Sequence, residues 1–425
     1  MATESNSGKL IRAVGLWGLV AMCINAVVGS GVFLLPTETY KLLGPFSLWA
    51  PLIFAVPVFI LVLCFAEASS HFTEPGGAYL YARTAFGDFV GFETGWMNWI
   101  ARVTSLASLS NGFVVSLARL YRPLGEGSAR AAIIIGTLLI LGAIHFVGVR
   151  YGAASIYVFT WGKLLPLIGF IVLALIVFRF NPIPASLHAP PPGTDWSGAA
   201  LFMLFAYAGF ENLGVPAGEY KNPRKDLPMA LLIGTLAIAA IYVLTQLGAM
   251  SALPDLSKTE TPIADAAAQL IGTAGAVIIT LGALLSMAGT NSGTVLEGSR
   301  MLYALSLDRR RNPISYVHPK FRTPSVAIVV HVIVATALAL AGSFAELALI
   351  STVARLATYL AGSASLPFLG KATARRIVLA VLGVLVSLTF VITLHKVNAI
   401  AATIALATGG IIYLIVGKST APQKL

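Results

Sequence analysis

Charge is what this chain has least of. Asp, Glu, Lys and Arg make up 11% of its 425 residues, against roughly 25% in soluble domains. With 57% hydrophobic residues and a mean hydropathy of +0.86, that scarcity excludes a water-soluble globular domain. Cysteine is almost absent. Cys23 and Cys64 both fall inside apolar runs, so neither a disulfide framework nor a metal site is expected. Catalytic sets are missing as well: there are no paired aspartates, no His-rich metal set and no Gly-x-Ser-x-Gly nucleophile turn. No enzyme activity and no cofactor is therefore expected. The polar start Met1–Lys9 runs directly into an apolar span without a small-residue cleavage site, so no cleavable signal peptide is expected either. The net charge of +11 sits in short loops between apolar runs, which makes it a topology signal and not a nucleic-acid surface.

What the chain does have is apolar length. Stretches long enough to cross a bilayer as helices recur from end to end, and the weak alternation of a membrane barrel is absent. Twelve spans are predicted, at about 13–42, 45–69, 88–120, 129–149, 152–179, 196–219, 227–252, 268–305, 324–342, 345–369, 375–394 and 397–416. With the N-terminus inside, the cytoplasmic segments hold most of the loop cations, among them Lys9, Arg12, Arg83, Arg150, Lys221, Arg224, Lys225 and Arg309–Arg311. The opposite side keeps only Lys41, Arg119, Arg122, Arg130, Arg179, Lys258 and Lys396. That asymmetry predicts a multi-pass protein of the plasma membrane with both termini cytoplasmic. The Pro-rich stretch 181–193 divides five spans from the rest. Spans six to ten repeat the plan of the first five and, five being odd, enter the membrane upside-down. The expectation is one integral membrane unit over 1–425: an all-α fold with a first repeat at 13–179, an inverted second repeat at 196–369, and two extra spans at 375–416.

Two breaks interrupt apolar spans, Val28-Gly29-Ser30-Gly31-Val32 in span one and Ala206-Tyr207-Ala208-Gly209-Phe210-Glu211 in span six. Helix breaks at membrane depth survive only where the freed backbone groups line a cavity or meet a ligand. Paired breaks in corresponding halves point to a transporter's central site. Past the span-one break, the new helix N-terminus near Val32 offers N–H groups and a positive dipole end suited to a carboxylate. The half-helix ending near Phe205–Tyr207 offers carbonyls suited to an ammonium. Together they describe an α-amino acid. The alternative is that Gly29, Ser30 and Gly31 merely allow close helix packing.

Four motifs carry a resemblance. Val28-Gly29-Ser30-Gly31-Val32-Phe33 resembles the first-span motif of the amino acid–polyamine–organocation permeases. Glu74-Pro75-Gly76-Gly77-Ala78-Tyr79-Leu80-Tyr81-Ala82-Arg83 resembles their loop between spans two and three. Glu219-Tyr220-Lys221-Asn222-Pro223-Arg224-Lys225-Asp226-Leu227-Pro228 resembles the loop after span six, and Ser299-Arg300-Met301-Leu302-Tyr303-Ala304 with Arg322-Thr323-Pro324 the region after span eight. The resemblance covers about 13–370 and is closest to the arginine/agmatine and related amino acid exchangers. It implies a five-plus-five inverted repeat with discontinuous helices one and six, alternating access, and sodium-independent transport of an amino acid by exchange or proton coupling. A polyamine or amine exchanger of the same fold is the alternative. It further implies that the backbone of Val28, Gly29, Ser30 and Gly31 binds the substrate carboxylate, with Phe205, Ala206, Tyr207 and Gly209 around the amine and Phe205 acting as a gate. The partners implied are an amino acid, protons and the bilayer, with a homodimer left open.

Charges inside spans need partners or functions. By the same resemblance Lys163, in span five, stands where sodium-coupled relatives hold an ion. It is expected to reach carbonyls near Ala26–Val27 and hydroxyls at Ser286 or Thr290, and to take part in coupling; snorkelling to the membrane surface is the alternative. Glu211 is a candidate protonation switch, with a permanent ion pair as its alternative. Glu67 and Arg102 are expected to pair with each other; the alternative is that Arg102 faces the cavity and reads an acidic side chain or repels a basic one. Arg355 is assigned to an outer gate or to the scaffold. His145 and His331 receive no role, and Trp96, Trp99 and Trp161 are read as packing or interfacial residues.

Overall fold

Apolar sequence in a medium without water must satisfy its own backbone, and along this chain it does so as helix. The computed structural model describes residues 14–72, 77–148, 153–178, 190–213, 220–307 and 312–417. Expectations on Lys9, Arg12, Glu74, Pro75, Gly76, Arg150, Arg179, Glu219 and Arg309–Arg311 lie outside the described residues. The helices are α1 (Leu16–Val27), α2 (Gly31–Leu43), α3 (Ala50–Ser69), α4 (Ala78–Phe86), α5 (Asp88–Ala118), α6 (Gly127–Val147), α7 (Ala153–Phe178), α8 (Trp196–Tyr207), α9 (Pro223–Ala252), α10 (Pro262–Ser306), α11 (Ser325–Ala341), α12 (Phe344–Ser365), α13 (Ala374–Ile392) and α14 (Lys396–Val416). Among the described residues eight helical stretches are long and apolar enough to cross a membrane, and α1, α8, α11 and the 160–176 part of α7 are shorter apolar helices. Among the same residues no β-strand forms; a single bridge ties Val14 to Tyr220.

Two elements differ from expectation. The predicted loop after span two contains α4, which is flanked by Gly77 and Gly87, both with positive φ. Tyr79, Tyr81 and Ala82 are buried on one of its faces, so tertiary packing makes a helix where Pro and Gly suggested a loop. Span eight is longer than predicted. α10 begins with Pro262 in its first turn, and Gly272, at φ +66°, kinks it between a short first part and the long remainder. Asp265, in that first part, pairs with Arg119 at 2.6 Å.

The interior divides into two packed groups. One gathers α1, α2, α3, α8 and α9 around Leu19, Leu35, Phe205 and Tyr242; the other gathers α5, α6, α10 and α11 around Trp99, Leu106, Ile134 and Val332. α5 is buried along most of its length and rich in small residues, which lets neighbouring backbones approach closely. Ser351 donates to Ala101 O and Ser108 donates to Phe344 O, each at 2.7 Å, fastening α12 to α5. α13 and α14 expose large apolar side chains such as Ile392, Val397 and Leu414, the surface expected toward lipid.

Candidate functional site

The two breaks face each other. α1 stops at Val27 and α2 starts at Gly31, so Val28, Gly29 and Ser30 are not helical. The N–H groups of Gly31 and Val32 lie in a first turn, where no intrahelical acceptor exists. The N–H groups of Phe33 and Leu34 bond Ser30 O at 3.0 Å. α8 stops at Tyr207, and Gly209, at φ +126°, turns the chain into a short 3-10 turn over Phe210–Asn212. A Cβ on Gly209 would lie 2.6 Å from Ala26 O, and one on Gly31 would lie 3.1 Å from Ala206 Cα. Glycine at both places lets the breaks touch. Between them is a cavity of about 190 Å³ bordered by Gly29, Ser30, Gly31, Phe205, Ala206 and Gly209, and on other walls by Asn25, Arg102, Ser105, Thr290, Glu297 and Arg355. Ser30 Oγ and Asn25 Oδ1 are buried on it with no hydrogen-bond partner among the described residues.

The end of α1 is clasped from outside. Lys163 on α7 is fully buried, and its ammonium donates to Asn25 O at 2.9 Å and Val28 O at 2.7 Å. Ser286 on α10 donates to Val28 O and Gly29 O, both at 3.2 Å. Two details correct the expectation. The carbonyls Lys163 meets lie one residue to either side of Ala26–Val27, because residues three apart share a helix face. Lys163 bonds neither expected hydroxyl: Ser286 meets it only through the shared Val28 O, and the Thr290 hydroxyl donates back to Ser286 O at 3.0 Å. The snorkelling alternative for Lys163 is excluded by its burial. The end of α8 is also capped: Tyr242 donates to Ala206 O at 2.7 Å, and Ala208 N–H bonds Phe205 O at 3.2 Å.

Of the other expected site residues, Phe205 lines the cavity and packs edge-to-face on Phe344, the first residue of α12, with ring centroids 6.2 Å apart. Tyr207 turns away. Its hydroxyl donates to Pro51 O at 2.8 Å on the α3 side, so its side chain does not border the cavity. The Val28 side chain is buried, and its carbonyl is the one that Lys163 and Ser286 share.

The charged cluster is where sequence reasoning went furthest astray. Glu211 forms an ion pair with Arg355 and a second with Arg102 at 3.3 Å, and accepts from Gly209 N–H at 2.8 Å and Tyr359 OH at 3.4 Å. Arg102 also bonds Glu297 at 2.8 Å and Asn98 Oδ1 at 3.3 Å. The expected Glu67–Arg102 pair does not exist. Glu67, near the end of α3, faces α13 and pairs with Arg376 at 2.8 Å, while Arg102 faces α10 and α12. Arg355 belongs to this cluster at the span-six break and borders the cavity. Arg102 takes the alternative given for it and borders the cavity, whereas Arg355, Glu297, Tyr359, Asn25 and Tyr242 were absent from the expected site. The one signal for the charged ones was their presence inside spans. His145 bonds Ser292 at 2.9 Å, Trp99 donates to His331 at 3.1 Å, and Trp96 donates to Ala405 O at 2.9 Å, all within the scaffold. Trp161 is 52% exposed on the outer surface of α7.

Known proteins share this sequence pattern. The chain is 32% identical over 343 residues to a serine/threonine exchanger, SteT, of Bacillus subtilis, a match covering 77% of this chain and 76% of that protein. It is 29% identical over 318 residues to an arginine/ornithine antiporter of Pseudomonas aeruginosa, covering 69% of this chain and 63% of the antiporter, less than two thirds of its length. A transporter of Mycobacterium tuberculosis is 27% identical over 341 residues, 72% of this chain and 69% of that protein. The profile of the family described as Amino acid permease matches residues 14–417. A match running from the first described residue to the last settles the assignment: this chain belongs to the amino acid permease family and is an amino acid transporter.

Proposed function

We propose that the protein exchanges small neutral α-amino acids across the cytoplasmic membrane by alternating access. The observation that carries this reading is the cavity between the two breaks. The substrate carboxylate docks at the start of α2, on N–H groups of Gly29–Gly31 and on the otherwise unpartnered Ser30 hydroxyl. The ammonium meets carbonyls at the ends of α1 and α8, beside Ala26, Phe205 and Ala206. A cavity of about 190 Å³ accommodates an amino acid. The serine/threonine specificity in the name of the 32% identical relative agrees with this.

Twelve spans, the repeats at 13–179 and 196–369, and cytoplasmic termini are part of the proposal, supported by the distribution of basic loops. In that orientation Phe205 and Phe344 close the outer side and Asn25, Thr294 and Glu297 border the inner approach, so the conformation described is an inward-facing one. The Lys163 side chain fills the place where α1 and α7 meet, which favours sodium-independent operation. Glu211, held by two guanidiniums, serves as a fixed anchor, which favours exchange over proton symport. The polyamine alternative is weaker, because the carboxylates of Glu211 and Glu297 are already engaged by arginines.

Counterflow in proteoliposomes tests this. Vesicles preloaded with unlabelled serine, threonine or alanine should accumulate external labelled serine without sodium or a proton gradient, and empty vesicles should not. Uptake that requires sodium, or that proceeds into empty vesicles only under a proton gradient, would overturn exchange.

A further inference from the structure

The geometry points to Arg102 as a built-in cation that fills the side-chain end of the substrate cavity and excludes cationic amino acids. This rests on the exchange reading above and names the residue that sets its substrate class. Arg102 and Arg355 border the cavity, as does Glu297, and Glu211 is buried beside it through its bond to Gly209 N–H. The Arg102 guanidinium spans the two carboxylates, 2.8 Å from Glu297 Oε2 and 3.3 Å from Glu211 Oε1, and Asn98 holds its Nε at 3.3 Å. Its side chain is 6% exposed, whereas the Glu297 side chain is 39% exposed. Glu297 is thus the acid an entering cation would meet first.

A lysine- or ornithine-type side chain in a cavity of low dielectric needs a carboxylate partner, because an unpaired buried charge is strongly disfavoured. The wall carries two cations, Arg102 and Arg355, against two anions, Glu211 and Glu297, and is balanced. A substrate cation entering this wall adds an uncompensated charge facing two guanidiniums; selectivity arises here by repulsion as much as by attraction. Without the Arg102 charge the wall carries one excess negative charge, which a substrate cation would neutralise. Without the Glu297 charge it carries one excess positive charge, which an acidic side chain would neutralise.

The test is competition against counterflow of labelled serine, in Arg102→Gln, Arg102→Lys, Glu297→Gln and the double variant Arg102→Gln/Glu297→Gln. The wild type, Arg102→Lys and the double variant should stay insensitive to ornithine. Arg102→Gln should be inhibited by ornithine at a concentration at least tenfold lower than the wild type requires, a change of about 1.4 kcal/mol. Glu297→Gln should instead gain inhibition by aspartate. If Arg102→Gln inserts but does not transport, an ornithine-dependent rise in the melting temperature of the purified variant reads the same binding. Arg102→Gln that ignores ornithine in both assays, a double variant that retains ornithine sensitivity, or Glu297→Gln that ignores aspartate would each overturn the proposal. A wild type that exchanges serine while the variants fail to switch leaves the exchange reading standing. A wild type that carries ornithine and no neutral amino acid removes both.

Discussion

At the scale of single residues, the site depends on groups that nothing else can replace. Gly209 combines a φ of +126° with a backbone approach that leaves no room for a Cβ beside Ala26 O. A side chain there is strained by about 1–3 kcal/mol before any steric shift. Gly209→Ala is expected to abolish counterflow while the protein still inserts and elutes as a single species; wild-type exchange would show that contact of the breaks is dispensable. The sequence singled out Gly209, Gly29, Ser30 and Gly31 because small residues inside an apolar run are conspicuous. It did not single out Asn25 or Tyr242, whose side chains are ordinary for a helix and matter only through what stands opposite them.

At the scale of elements, the end of α1 is held in place by its neighbours. The last carbonyls of any helix lack intrahelical donors; here Lys163 from α7 and Ser286 from α10 supply them. Lys163→Ala removes both ammonium bonds and leaves Asn25 O without its donor, while Val28 O keeps the Ser286 hydroxyl, a loss of about 1–3 kcal/mol. It should lower the melting temperature and stop exchange. Lys163→Ala with both properties intact would show that the clasp is not needed. Lysine inside a span announced itself in the sequence as needing a partner; the resemblance gave carbonyls near Ala26–Val27, and those it meets, Asn25 O and Val28 O, lie one residue to either side. The boundaries of α4 and α10 were not legible. Gly and Pro near α4, and Asp265 in α10, resemble loop residues until the burial of Tyr81 and the ion pair to Arg119 are known.

At the scale of the whole molecule, the proposed inward-facing reading makes access to the cavity one-sided, closed at the Phe205–Phe344 contact and open on the Asn25–Glu297 side. The chain's two thiols, Cys23 and Cys64, are buried, so an introduced cysteine is read against a low background. Ser105→Cys, on the cavity wall, should react with a membrane-impermeant thiol reagent in inside-out vesicles and resist it in right-side-out vesicles. Adding Phe205→Ala should raise labelling from the outside. Equal labelling from both sides in Ser105→Cys alone would contradict an inward-facing resting state.

The sequence by itself determined the class of the molecule and where its two helices break. Hydropathy leaves helices as the only way to satisfy the backbone in lipid, and a break in such a helix is visible as glycine and serine where apolar side chains should be. It could not determine which charges meet. Glu67, Arg102, Glu211, Glu297 and Arg355 lie on five different elements, and intramembrane charges pair with whatever the packing sets opposite them, however distant in sequence. Arg102 is separated from Glu211 by 109 positions and from Glu297 by 195. Only the tertiary structure decided that Glu67 belongs to α13 and that Arg102 stands between two carboxylates at the cavity, because that choice follows from which face of α5 turns toward α10 and α12.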